Sequence, residues 1–233
     1  MQILKNYRNI LKTLIKYNMK KKYIDHLEKC FELAEKNSSN IDEYIINMDG
    51  MSGTKTRHFY NNLLKLDDAR YLEIGTWKGS SVCSAMVNNR AKILCIDNWS
   101  EFNGPKTTFM ENFKKYEGNN ITNFIEADCF SIDLNNLEKF NIYMYDGNHS
   151  YDSHYNALTY YLNVLDDLFI YVVDDWNWAD VRNATMNSIN DLNLNIVWQK
   201  EIKLNNNNTT TEDKLNWWNG ISVFLLKKEI NEN

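Results

Sequence analysis

The chain has 233 residues, 43% hydrophobic and 13% aromatic, which is enough apolar material for a real core and excludes wholesale disorder. No run approaches the roughly twenty apolar residues of a membrane span, and the start lacks the apolar stretch of a signal peptide. The net charge of −5 is unevenly spread: the first 24 residues hold seven basic groups and no acid, while the rest holds 19 basic and 31 acidic ones, a balance that argues against nucleic-acid binding.

Residues 1–48 read as helical. Ile3, Leu4, Tyr7, Ile10, Leu11, Leu14 and Ile15 recur at helical spacing, with lysines on the other face. A second helical segment over 23–36 ends at the Asn37-Ser38-Ser39-Asn40 break. This extension is expected to act as a helical cap or an oligomerisation element, and a homodimer is the expected assembly. Cys30, Cys83, Cys95 and Cys129 are scattered without CxxC spacing. They point to a reduced, cytoplasmic protein with neither a disulfide framework nor a zinc site.

From residue 49 onward a second unit is expected, and from Thr54 the rhythm becomes one of alternating strands and helices. Strands are predicted over 70–75, 92–97, 123–127, 141–146, 168–174, 195–202 and 221–227, and helices over 54–66, 80–89, 105–117, 151–166 and 178–191. Continuous apolar runs such as Phe169-Ile170-Tyr171-Val172-Val173 fit strands buried on both faces. The alternation implies an α/β, Rossmann-like, doubly wound sheet of seven strands. The last two strands have no helix between them and should form an antiparallel hairpin. The N-x-T sequons in the Asn- and Thr-rich stretch 205–211 read as loop composition.

The sharpest local signal is Leu72-Glu73-Ile74-Gly75-Thr76-Trp77-Lys78-Gly79-Ser80-Ser81. A strand ends at an acid, glycines four apart make the turn, and a helix follows. Gly75 permits a tight turn and Gly79 close helix–strand packing, while Ser80 or Ser81 can cap the helix. Trp77 stands where the dinucleotide GxGxxG pattern requires glycine, which counts against a nicotinamide-dependent oxidoreductase. Glu73 suits a ligand with a positive end. Asp97, followed by Asn98, ends the second strand, where a carboxylate can accept from both hydroxyls of a ribose. Asp128 ends the third and can accept from an adenine amino group.

Glu73-Ile74-Gly75-Thr76-Trp77-Lys78-Gly79 with Asp97 and Asp128 resembles class I S-adenosylmethionine-dependent methyltransferases. The stretch 72–81 is most similar to catechol- and caffeoyl-CoA-type O-methyltransferases. The resemblance covers about residues 50–227. It implies S-adenosyl-L-methionine as cofactor, bound by Glu73, Gly75, Thr76, Gly79, Ser81, Asp97, Asn98 and Asp128. Met51-Ser52-Gly53-Thr54 falls where such enzymes place a cofactor-covering loop.

Asp146, in Tyr145-Asp146-Gly147-Asn148-His149, ends the fourth strand, and Asp174-Asp175 ends the fifth. Neighbouring strands lie about 4.8 Å apart, so these carboxylates converge at one edge if the two strands are adjacent. Clustered carboxylates repel unless a cation neutralises them, and an oxygen-only set favours Mg²⁺ or another hard divalent ion. Alternatively one acid caps a helix, another binds substrate, and no metal is held. Asp175 needs a turn after Asp174, because adjacent strand residues face opposite ways. The resemblance extends here to metal-dependent O-methyltransferases, including macrolide-sugar ones, and implies Asp146, Asp174 and Asp175 as ligands. Those enzymes carry a histidine shortly after the pair, where this chain has Asn177 and Trp178. That departure leaves His149 as the candidate catalytic base. Trp176, Trp178, Tyr151, Trp217 and Trp218 are candidate walls for a small-molecule acceptor, and aromatic walls suit either a sugar ring or a planar phenol. The rival within the fold is a metal-independent N- or O-methyltransferase.

Overall fold

A computed structural model describes residues 2–204 and 214–229, so the predicted 205–211 loop lies outside the described residues. Its helices are α1 (Gln2–Glu35), α2 (Glu43–Ile46), α3 (Thr54–Leu63), α4 (Ser80–Met86), α5 (Lys106–Tyr116), α6 (Tyr151–Tyr161) and α7 (Ala179–Asp191). Its strands are β1 (Arg70–Ile74), β2 (Lys92–Asp97), β3 (Ile121–Glu126), β4 (Phe140–Tyr145), β5 (Leu165–Val173), β6 (Leu194–Ile202) and β7 (Ile221–Lys228). One seven-stranded sheet runs in the order β3-β2-β1-β4-β5-β7-β6. Its first five strands are parallel, and β7 is antiparallel to both β5 and β6. This is the expected doubly wound α/β architecture with its terminal antiparallel pair.

The period of two along each strand divides the core into two layers. Tyr71, Cys95, Ile142, Met144, Ile170, Val172 and Val223 face α1, α3, α4 and α5, where they meet Phe31, Phe59, Leu63, Val82 and Phe109. The intervening Leu72, Ile74, Ile96, Tyr143, Tyr171, Val173 and Phe224 meet Leu158 and Tyr161 of α6 and Val181 and Ile189 of α7.

Two predicted boundaries differ. The two helical segments of the extension form one continuous α1, because Lys16–Lys22 (numbers 16–22) are mostly good helix formers that carry the helix without an apolar stripe. Its last turns are docked: Leu27, Cys30, Phe31 and Ala34 are buried in the core that α3 shares. The helix predicted over 151–166 ends at Tyr161 in a short 3-10 turn, and Leu165 already begins β5. Among the described residues no helix is long and apolar enough to cross a membrane.

Registers align the ends of the central strands. Ile74 pairs with Ile96 and with Tyr145, and Tyr145 pairs with Val173. The residues that follow these positions therefore come together at the carboxyl edge of the sheet, where open α/β sheets bind ligands.

Candidate active site

At that edge a cavity of about 450 Å³ opens between the ends of β1, β2, β4 and β5. Gly75, at φ +82°, forms its floor, and a Cβ there would come within 2.0 Å of the Asp146 carbonyl oxygen. Glycine is needed because the paired ends of β1 and β4 lie side by side there, with Asp146 N–H donating to Ile74 O at 2.9 Å. Gly79, at φ +85°, is the N-cap of α4, and no side chain caps that helix. The expected capping serines have other partners. Ser81 Oγ donates to Glu73 Oε1 at 2.6 Å, and Ser80 Oγ lies 3.1 Å from Ser52 Oγ.

Glu73 is fully buried, and Tyr71 OH donates to its second oxygen at 2.6 Å. Burial pushes its pKa up from 4.5 to about 8, against the pull of those two hydrogen bonds. Asp97 anchors the turn: its Oδ2 accepts from the Thr76 and Trp77 amides at 2.9 and 2.8 Å, and its Oδ1 accepts from the Trp99 amide. Gly75, Asp97, Asn98 and Asp128 line the cavity, whereas Glu73, Thr76, Gly79 and Ser81 stand behind its wall.

Arg57 organises the covering segment. It is buried, and its Nη1 donates to the carbonyls of Ile45, Ile46 and Met48 at 2.6–3.0 Å, while Nε donates to Ser52 Oγ at 3.0 Å. These bonds fold residues 45–52 over the glycine turn and set Met51 against the cavity.

At the opposite end Asp146, His149 and Asp175 converge, with one ligand atom from each within 4.8 Å of the others. Asp175 reaches the cavity because its backbone adopts φ +52°, the turn that the strand geometry demanded. Its Oδ1 accepts from Asn219 Nδ2, and its Oδ2 lies 2.6 Å from His149 Nε2. Asp146 Oδ1 is 3.6 Å from the same nitrogen, which has no aligned hydrogen bond to either acid. Burial alone would lower the His149 pKa, but Asp146 and Asp175 outweigh it and raise it to about 10. Burial likewise lifts Asp146, to about 6, against the pull of His149. Asp174 turns away from the cavity. It is buried, its Oδ1 has no partner, and burial with the charges of Asp146 and Asp175 drives its pKa well up.

Residues 72–176 match the family model described as a methyltransferase domain. A methyltransferase from Podospora anserina bound to SAH has the same fold, with a TM-score of 0.60 and 15% identity over 87% of this chain and 95% of that one. An O-methyltransferase from Bacillus cereus in complex with SAH aligns at a TM-score of 0.51 and 11% identity, covering 87% and 91%. The O-methyltransferase TomG from Streptomyces achromogenes, involved in tomaymycin synthesis and in complex with SAM, aligns at 0.51 and 12%, covering 87% and 89%. No curated protein sequence matches the chain. Over residues 72–176 this chain matches a methyltransferase domain, and it shares the fold of SAH- and SAM-bound methyltransferases.

Of the five wall candidates, Trp178 and Trp218 line the cavity. Trp176 and Trp217 are core residues whose indole N–H groups donate to Glu201 and Glu35. Tyr151 instead accepts from Asn187 Nδ2 outside the lining. Sequence reasoning missed Trp77, Trp99, Glu101 and Phe102, which line the end near Asp97. The aromatic run just beyond the Asp97 strand end was the available signal. The donor chemistry near Asp146 also differs from the oxygen-only set, since His149 takes the place expected for Asp174. Two carboxylates and an imidazole within this spacing fit one divalent ion, and they suit Mn²⁺, Fe²⁺ or Zn²⁺ as well as Mg²⁺.

Proposed function

We propose that this protein transfers the methyl group of S-adenosyl-L-methionine to a hydroxyl of a small molecule. The observation that carries the reading is a single cavity that joins the glycine turn and Asp97 at one end to the Asp146–His149–Asp175 group at the other. In this reading Asp97 accepts from the ribose hydroxyls, Asp128 and Asn98 lie toward the adenine, and Glu73, through the turn it supports with Ser81, stabilises the ammonium end of the donor.

Methyl transfer from a sulfonium is an in-line displacement. The protein's task is to hold the acceptor oxygen against the methyl carbon and to take its proton. The Asp146–His149–Asp175 group takes that proton, at a carboxylate while the paired imidazole is charged. Trp178, whose ring centroid lies 4.8 Å from that of His149, and Trp218 hold the acceptor. A divalent ion held by Asp146, Asp175 and His149 would lower the pKa of a bound hydroxyl and orient it. The close His149–Asp175 contact supports a second reading, in which the imidazolium alone neutralises the acids and no metal is used.

Calorimetry with SAH tests the donor assignment: binding is expected, and no heat would remove it. Methyl transfer to a panel of hydroxyl compounds, with and without EDTA, then separates the two readings. Loss of turnover that added Mg²⁺ or Mn²⁺ restores supports the metal, and unchanged turnover removes it.

A further inference from the structure

The charge of the cavity restricts the acceptor more closely than its shape does. Its described lining contains Asp97, Glu101, Asp128, Asp146 and Asp175, and among the described residues no Lys or Arg. The one basic side chain, His149, is already engaged with Asp175 at 2.6 Å. Residues 205–213 contain no Lys or Arg either.

The nearby cations are committed elsewhere. Lys78 lies over the Trp77 ring and pairs with Asp49 at 2.5 Å, and Lys106 pairs with Glu126. Arg182 donates to the Trp176 carbonyl. A helix N-terminus is the other usual anion site, but the two helices that begin at the acceptor end each carry an acid in the first turn, Asp152 in α6 and Asp180 in α7. The α6 cap is also closed by Ser150, whose Oγ accepts from the Ser153 amide. A divalent ion held by Asp146 and Asp175 would offset acidic charge at that end alone, leaving the exposed Glu101 and Asp128. The walls at the acceptor end are the indoles of Trp178 and Trp218, whose faces accept either a sugar ring or an ammonium group.

We infer that the acceptor is neutral or cationic, a hydroxylated ring or polyol that carries no phosphate or carboxylate. A coenzyme A thioester, a nucleotide sugar and a sugar phosphate are disfavoured, since the described lining has no Lys or Arg to pair with their phosphates. The inference rests on the donor assignment proposed above, and its test separates the two.

The probes are nitrogen-for-sulfur analogues of SAH whose methyl position carries a three-carbon arm ending in an amine, a hydroxyl or a carboxylate. Each is anchored by its adenosine and sends its arm to the acceptor end. Calorimetry on the full chain should give Kd values at least tenfold weaker for the carboxylate arm than for the amine or hydroxyl arm, with the gap shrinking as salt is added. If SAH binds and the carboxylate arm binds as well as the other two, the acceptor inference is overturned and the donor assignment stands. If SAH itself gives no heat, both are overturned.

Discussion

Two buried acids of the site are managed in different ways. Glu73 is held by hydroxyls and stays neutral up to about pH 8, whereas Asp175 is matched by the His149 cation. The folded protein therefore holds the Glu73 proton more tightly than the unfolded chain does. The sign follows from linkage: stability falls as pH rises from about 4.5 to about 8 and is lowest above that window. Glu73→Gln should raise Tm relative to the native chain at pH 9 and lose that advantage toward pH 5, while weakening SAH binding severalfold through the turn that Glu73 and Ser81 support. A Tm advantage that grew toward pH 5 would contradict the assigned shift. His149→Ala should leave SAH affinity near normal in calorimetry and reduce turnover about a hundredfold, the usual scale for a proton-transfer group. Near-normal turnover would remove His149 from the chemistry. Glu73, Asp97, Asp146 and His149 could all be picked out in the sequence, because each follows a strand end or glycine turn with its own composition. Asp175's route into the cavity could not, since nothing in Asp174-Asp175-Trp176 announces a left-handed φ. The same holds for Trp77, Trp99, Phe102 and Trp218, bulky residues at φ +46° to +54° where sequence rules expect glycine or asparagine.

α1 is the element whose two halves do different work. At 1.5 Å per residue it is roughly 50 Å long, and among its described side chains those buried in the core come from its final turns. Phe31 is fully buried, its ring centroid 4.7 Å from that of Phe59 and 5.4 Å from that of Trp217. Leu14 is 53% exposed. Urea melts should show Phe31→Ala costing about 3–5 kcal/mol and Leu14→Ala less than about 0.5 kcal/mol. Equal effects would mean that α1 packs along its whole length. Helical spacing revealed both segments of α1 but not their continuity, because residues 16–22 carry no apolar stripe and helix propensity alone bridges them. The strands were easier to read. Runs buried on both faces, as in β4 and β5, have few apolar alternatives, and only their ends were shifted by local turns.

Over the whole molecule, strand–helix alternation was enough to imply the sheet and the edge at which ligands bind. It could not show which helices share a face with α1, since that depends on contacts distant in sequence, such as Phe31 with Trp217. Nor could it show that the covering segment is tied down from beneath by Arg57, within a helix that reads as ordinary. The sheet order itself has a temporal side. β7 is the last strand in the chain and lies between β5 and β6. Trp218 and Asn219, just before it, complete the cavity wall, and Asn219 donates to Asp175. During synthesis, then, residues 168–173 must wait with an apolar, unpaired edge until β7 has been made. A nascent chain halted before Ile221 would have its glycine turn and most of its acids but no closed pocket, and it would be a natural client for chaperones.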